Sequence, residues 1–262
     1  MSENRKFSVL MSVYIKENPV FLEEAVKSIL HQTLKPSEVV IVEDGPLTPE
    51  LYQVLEELEA QSSIRIKRCP LEQNRGLGLA LQYGVLQCQY DVIARMDTDD
   101  IAVEDRFEQQ FDLMEKENLD LLGGHIAEFI DQPDEIVSYR RVPIKHEEII
   151  AYQRMRSAFN HMTVMFKKEM VLKAGNYEDG LYMEDDLLWL NMISAGARTG
   201  NVDQILCKVR VGAGMFERRG GLRYLKLYRQ ARQRMHARGQ ISYGEYLKSV
   251  LIQVVVALCP GF

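Results

Sequence analysis

Asp97, Asp99 and Asp100 place three carboxylates within four positions of one another, interrupted only by Thr98. Two such charges about 4 Å apart repel by about 4 kcal/mol at an effective dielectric near 20. A bound cation is the natural compensation. One or two carboxylates together with substrate phosphates is the usual way that Mg²⁺ or Mn²⁺ is held. The segment is no calcium loop of the helix–loop–helix kind, because it lacks the loop glycine and the glutamate at the twelfth position. A solvated turn leading into the next helix would use the same residues.

A second acidic group, Glu184-Asp185-Asp186, precedes the apolar run Leu187–Ile193. Acids at a helix N-terminus are favoured by the helix dipole alone, at about 0.3–1 kcal/mol each. The chemical alternative is a carboxylate that accepts a proton from an attacking hydroxyl. Such a base has to come from a different chain segment than a cation site, and this pair does.

The elements that would position these groups alternate. Phe7–Tyr14, Val39–Val42, Ile64–Arg68 and Asp91–Met96 read as short apolar strands. Val20–Leu30, Pro49–Ala60, Leu77–Gln87 and Arg106–Lys116 carry apolar residues at helical spacing. Near-continuous apolar strands alternating with helices predict a mostly parallel α/β sheet covered on both faces. Ligands of such sheets sit beyond the carboxyl ends of the strands, where Tyr14, Asp44 and Asp97–Asp100 fall. Further on, strands are expected at Leu119–Phe129, His161–Phe166 and Gln204–Val211, and helices at Glu147–Arg156 and Glu184–Ile193. A basic helix, Leu222–Arg238, and an apolar one, Tyr246–Leu258, close the chain.

Composition narrows the function. The 262 residues carry a net charge of −6, which argues against a nucleic-acid partner. The four cysteines are dispersed, as in a reduced, cytoplasmic protein. No GxGxxG follows the first strand and no GxxxxGK[ST] occurs, so dinucleotide and P-loop sites are not expected. No serine or cysteine sits in a nucleophile elbow. His161 is read as a contact to acceptor or diphosphate, or as a structural histidine. The basic helix is read as a solvated face or a patch for anionic headgroups, and Val250–Cys259 is too short to span a bilayer.

In order, FSVLMSVY, VVIVEDG, NRGLGLAL, ARMDTDD with RFEQQ, NHMTVMF, MEDDLLW and VRVGAGMFERRGG resemble the family 2 glycosyltransferases. The resemblance is to the bacterial capsule and exopolysaccharide (amylovoran-biosynthesis-like) group, and it spans about residues 6–222. It implies a GT-A fold, residues 1–215, with a helical extension, 216–262. It further implies inverting transfer of a hexose or N-acetylhexosamine from a UDP-sugar to a hydroxyl of a growing glycan, with Mn²⁺ or Mg²⁺.

By the same resemblance, Ser12, Tyr14, Asp44, Arg75, Asp97 and Thr98 would hold the nucleotide sugar, and Asp99 with Asp97 the metal. Asp185 would be the general base, supported by Glu184. Arg210 and Arg218 would meet the diphosphate, and His161 and Trp189 the acceptor or diphosphate. The acceptor would be lipid-linked or protein-linked. The C-terminal helices would serve a homo-oligomer or peripheral contact at the inner face of the plasma membrane. A sugar-1-phosphate nucleotidyltransferase and a non-catalytic assembly module of the same fold are the competing readings.

Overall fold

In the computed structural model, residues 5–179, 183–212 and 221–258 are described. The strands are β1 (Phe7–Val13), β2 (Glu38–Glu43), β3 (Arg65–Pro70), β4 (Val92–Arg95), β5 (Ile101–Ala102), β6 (Leu121–Phe129), β7 (Ile136–Arg140), β8 (Met165–Lys167) and β9 (Thr199–Arg210). The helices are α1 (Pro19–Leu30), α2 (Pro49–Gln61), α3 (Leu77–Gln87), α4 (Arg106–Glu117), α5 (His146–Gln153), α6 (Lys168–Lys173), α7 (Glu184–Ser194), α8 (Gly221–Ala237) and α9 (Tyr243–Leu258).

All nine strands join one sheet in the order β3-β2-β1-β4-β8-β6-β9-β5, with β7 also paired to β6. The first four in that order are mutually parallel, as the alternation of strand and helix predicts. β8 runs antiparallel between β4 and β6, while β6 and β9 are parallel. β1 and β2 are buried along nearly their whole length because helices cover both faces. One face buries Val9, Met11, Val39 and Ile41 against α1, α2 and α4. The other buries Leu10, Val40 and Val42 against α3, where Gly84 lets the helix come close. A Cβ there would stand 2.4 Å from the Leu10 side chain.

Helix starts follow local chemistry. Asn18 accepts from the Val20 N–H at 2.9 Å ahead of Pro19, and Thr48 accepts from the Leu51 N–H at 3.3 Å ahead of Pro49. The strand expected over His161–Phe166 is split. His161–Thr163 is a single 3-10 turn, because the Asn160 carbonyl accepts both the Thr163 N–H, at 2.9 Å, and the Thr163 hydroxyl, at 2.8 Å. The short elements β5, β7 and α6 are additions to the expected set.

The C-terminal hairpin, α8 and α9, docks on α7. Met183, Leu187 and Leu190 pack with Ala231, Met235 and Ile241. Among the described residues no helix is long and apolar enough to cross a membrane.

Candidate active site

The acidic turn follows β4, held in the middle of the sheet between β1 and β8. Leu10 lies opposite Arg95, and the Met96 N–H donates to the Leu10 carbonyl at 3.1 Å. The turn therefore leaves the sheet beside Ser12. One oxygen from each of Asp97, Asp99 and Asp100 lies within 4.8 Å of the others. Asp97 pairs with the buried guanidinium of Arg95. Thr98 is buried and Asp99 half-buried.

Asp100 is buried and accepts the Arg210 N–H at 3.0 Å, which ties the turn to the end of β9. Burial, and then the charges of Asp97 and Asp99, push the Asp100 carboxyl well above its ordinary range. Three converging carboxylates offer an all-oxygen donor set, which fits a hard divalent ion such as Mg²⁺ or Mn²⁺.

Behind the turn lies Arg106, fully buried. Its guanidinium donates to the Arg95 carbonyl at 2.7 Å and to Gln110 Oε1 at 3.0 Å, and it touches the sulfurs of Met96 and Cys207. Gln110 in turn donates to the Thr163 carbonyl at 2.8 Å. Sequence reasoning gave Arg106 no role in the site. The available signal was an arginine on the face of α4 that otherwise buries Phe107, Phe111 and Met114.

The neighbouring wall comes from the ends of β1 and β2. Ser12 and Tyr14 are half-buried there. Asp44 is buried, and its two oxygens accept the Arg75 N–H at 2.7 Å and the Gly76 N–H at 3.0 Å. The Asn74 side chain donates to the Asp44 carbonyl at 3.1 Å. Gly45 has φ +86°, and a Cβ on it would lie 2.6 Å from the Asn74 nitrogen. The Arg75 side chain is exposed.

Opposite, α7 begins with Glu184 and Asp185. Gly78 at the start of α3 lets this end approach, since a Cβ there would meet the Glu178 carbonyl at 2.4 Å and Glu184 Cβ at 3.0 Å. The Asp186 N–H donates to Asp185 Oδ1 at 2.8 Å. Asp186 itself accepts from Gln153 Nε2 at 2.7 Å, and Gln153 Oε1 accepts the Ala158 N–H at 2.8 Å. Burial, then Asp186 and Glu184, push the Asp185 carboxyl up to about 8, with Arg140 opposing. Burial likewise raises Glu184, against the pull of Arg95.

Between the clusters lie Tyr177 and His161, hydrogen-bonded at 3.0 Å between the phenol oxygen and Nε2. Burial and the charge of Arg95 hold the His161 imidazole well below its ordinary range. His161 is therefore a neutral part of the site's base rather than a phosphate-binding cation. Burial raises the Tyr177 phenol. Arg95 acts electrostatically on Asp97 and Asp100 on one side and on Glu184 on the other.

Two expected contacts need correction. Trp189 is fully buried, ringed by Phe159, His161, Phe166 and Tyr177 at centroid distances of 5.8 to 6.4 Å. It supports the site from behind and presents no surface to an acceptor or a diphosphate. The Arg210 guanidinium lies between the rings of Phe21, at 3.7 Å, and Phe129, at 4.6 Å, and bonds Glu24 at 2.8 Å. What Arg210 offers the acidic turn is its backbone N–H. Arg218 lies outside the described residues.

The family model described as glycosyl transferase family 2 matches residues 8–179. An uncharacterized glycosyltransferase of Haemophilus influenzae is 46% identical over 84% of this chain and 82% of its own length. A UDP-Gal:alpha-D-GlcNAc-diphosphoundecaprenol beta-1,3-galactosyltransferase of Escherichia coli is 36% identical over 97% of this chain and 92% of its own. The amylovoran biosynthesis glycosyltransferase of Erwinia amylovora is 41% identical over 84% and 82%.

Solved structures share the fold. The mannosyltransferase PcManGT of Pyrobaculum calidifontis, determined with GDP-Man and Mn²⁺, superposes with a TM-score of 0.68 at 15% identity, over 97% of this chain and 70% of that one. S. aureus TarS 1-349 with UDP-GlcNAc gives a TM-score of 0.64 at 18% identity, over 87% and 65%. A longer TarS structure is spanned to 39% by this chain.

Proposed function

Because the chain belongs to glycosyl transferase family 2 and is a glycosyltransferase of the GT-A fold, we propose that it moves a hexose or N-acetylhexosamine from a UDP-sugar to a hydroxyl of a growing bacterial glycan, with inversion. The observation that carries this reading is the pair of acidic clusters from separate segments facing one another across Arg95. One is suited to a cation, and the other holds a carboxyl whose affinity for a proton is raised to the range a general base needs.

In this reading Ser12, Tyr14, Asp44 and Arg75 line the nucleotide wall, and Asp97 and Asp99 hold Mn²⁺ or Mg²⁺. The ion supplies electrostatic stabilisation to the leaving diphosphate. Asp185 takes the acceptor hydroxyl proton on Oδ2, the oxygen that Asp186 leaves unengaged. The hydroxyl oxygen then bonds to the anomeric carbon while the carbon–phosphate oxygen bond on the opposite face breaks and UDP departs. Glu184 supports the base from the preceding position, and the Asp186 N–H orients the Asp185 carboxylate while the Asp186 side chain is itself held by Gln153.

The acceptor of the Escherichia coli relative is a sugar diphosphate on a polyprenol. We assign this chain an acceptor of that class, with residues 1–215 as the transferase unit and 216–262 as an extension. The extension holds the unit to its lipid-linked acceptor at the inner face of the plasma membrane. Full-length protein incubated with Mn²⁺, a panel of UDP-hexoses and UDP-N-acetylhexosamines and a GlcNAc-diphosphate-lipid tests this. A new glycosidic bond of inverted configuration by NMR, with stoichiometric UDP, is expected. No transfer from any UDP-sugar, or retention of configuration, overturns it.

A further inference from the structure

α9 is oriented with its apolar residues outward. Leu247, Leu251 and Val255 recur at four-residue spacing and are 41%, 64% and 60% exposed. Ile252 and Val256 widen the stripe, at 52% and 40%. The inward side is mixed, with Tyr246, Val250 and Val254 only half-buried and polar groups among them. Ser249 is buried and accepts from Arg232 Nε at 3.0 Å, and Gln253 is half-buried. A helix that needed only its own fold would show the reverse pattern. An apolar stripe this long on a surface marks a contact.

Charge identifies the partner. Residues 221–258 hold seven Lys and Arg against one Glu, whereas the rest of the chain holds 25 against 37. A strongly cationic hairpin thus sits on a strongly anionic body. Arg223, Lys226 and Arg229 on α8 are exposed. Arg232 meets Ser249 and His236 stacks on Tyr246 at 6.1 Å, so the two helices run antiparallel. Lys226 and Arg229 consequently fall beside the Ile252–Val256 part of the stripe. A two-fold pairing of copies through this face would set these cations against their own equivalents. An anionic surface has the opposite effect.

We propose that the α8–α9 hairpin docks in the plane of an anionic phospholipid bilayer, with Leu247, Leu251, Ile252, Val255 and Val256 entering the interface and Arg223, Lys226 and Arg229 on the headgroups. The 16 residues of α9 make a rod about 24 Å long, suited to lying along an interface. Because the hairpin packs on Leu187 and Leu190 of α7, docking fixes the helix that carries Asp185 relative to the bilayer. The proposal deepens the lipid-linked reading of the acceptor, but its test does not depend on transfer.

Full-length protein is sedimented with vesicles of phosphatidylcholine alone or mixed with phosphatidylglycerol, and dimer formation is followed by light scattering. Binding to the mixed vesicles that weakens with salt is expected, with little binding to the neutral ones. The R223E/K226E/R229E variant should bind at least about 100-fold more weakly, from about fivefold for each of the three charges removed. The L251S/V255S variant, altered only at exposed positions, should bind more weakly while transferring normally to a short-chain, water-soluble acceptor. No sedimentation, equal binding to neutral vesicles, or a dimer that Leu251→Asp dissolves each overturns the proposal. Intact vesicle binding in a chain that transfers no sugar would sink the functional reading and leave this one standing.

Discussion

Replacing Asp185 with Asn removes a carboxylate that burial and two neighbouring acids push from the ordinary 3.8 up to about 8. Between these two values the folded protein holds a proton that the unfolded chain releases. Stability contributed by the protonated form is therefore full below about pH 4 and is lost as pH rises through about 8. Asparagine keeps the shape, still accepts the Asp186 N–H through its carbonyl oxygen and never ionises. Each pKa unit corresponds to about 1.4 kcal/mol, but Asp185 is only half-buried, so solvent screens its neighbours. We therefore expect a gain of about 2 kcal/mol at pH 9, or roughly 4–8 °C in Tm. The gap should narrow towards pH 5, where wild type is protonated at this position.

Activity should move the other way, with kcat/KM falling about 100- to 10,000-fold. In the wild type kcat/KM should rise tenfold per pH unit below about 8 and level off above it. The assays are calorimetric melting from pH 5 to 9 and UDP release at fixed Mn²⁺ over the same range. A variant less stable than wild type at pH 9, or a wild-type plateau already reached at pH 6, would refute the reasoning.

Two further changes probe the surroundings. Asp99→Ala should weaken UDP-sugar binding about tenfold or more when Mn²⁺ is present and leave the metal-free affinity nearly unchanged, as titration calorimetry with and without EDTA would register. Gly78→Ala drives a methyl into the Glu178 carbonyl and Glu184 Cβ. It should cost about 1–3 kcal/mol in urea unfolding and raise KM for the acceptor more than for the nucleotide.

What was legible in the sequence is what local physics dictates. β1, β2 and β4 are buried on both faces, so their apolar runs stand out, and the acids after β4 announce themselves by density alone. β5 spans only Ile101–Ala102 and exists because it pairs with Lys208 and Cys207 of β9, a partner more than a hundred positions away. β7 is exposed along most of its length and is held as a strand by β6. Trp189 illustrates the other limit. The family resemblance implies a binding role for it, but it lies one turn beyond Asp185 on the same face of α7, where Phe159, His161, Phe166 and Tyr177 enclose it in the core. Tyr177 and Gln153 carry no motif, and only the folded chain brings them to His161 and Asp186. Asp100, which in the sequence is only one of three clustered acids, is the residue through which β9 grips the acidic turn.

The grip of Asp44 on the Arg75 and Gly76 N–H groups has a thermodynamic consequence. A nucleotide arriving at this edge meets a loop whose backbone was already ordered when the chain folded. Association at this wall therefore carries little loss of chain entropy. The heat-capacity change of binding should then report the burial of the base and ribose, with no added contribution from a segment folding around them. In the proposed reading, donor entry at this wall becomes the docking of a flexible molecule onto an ordered loop.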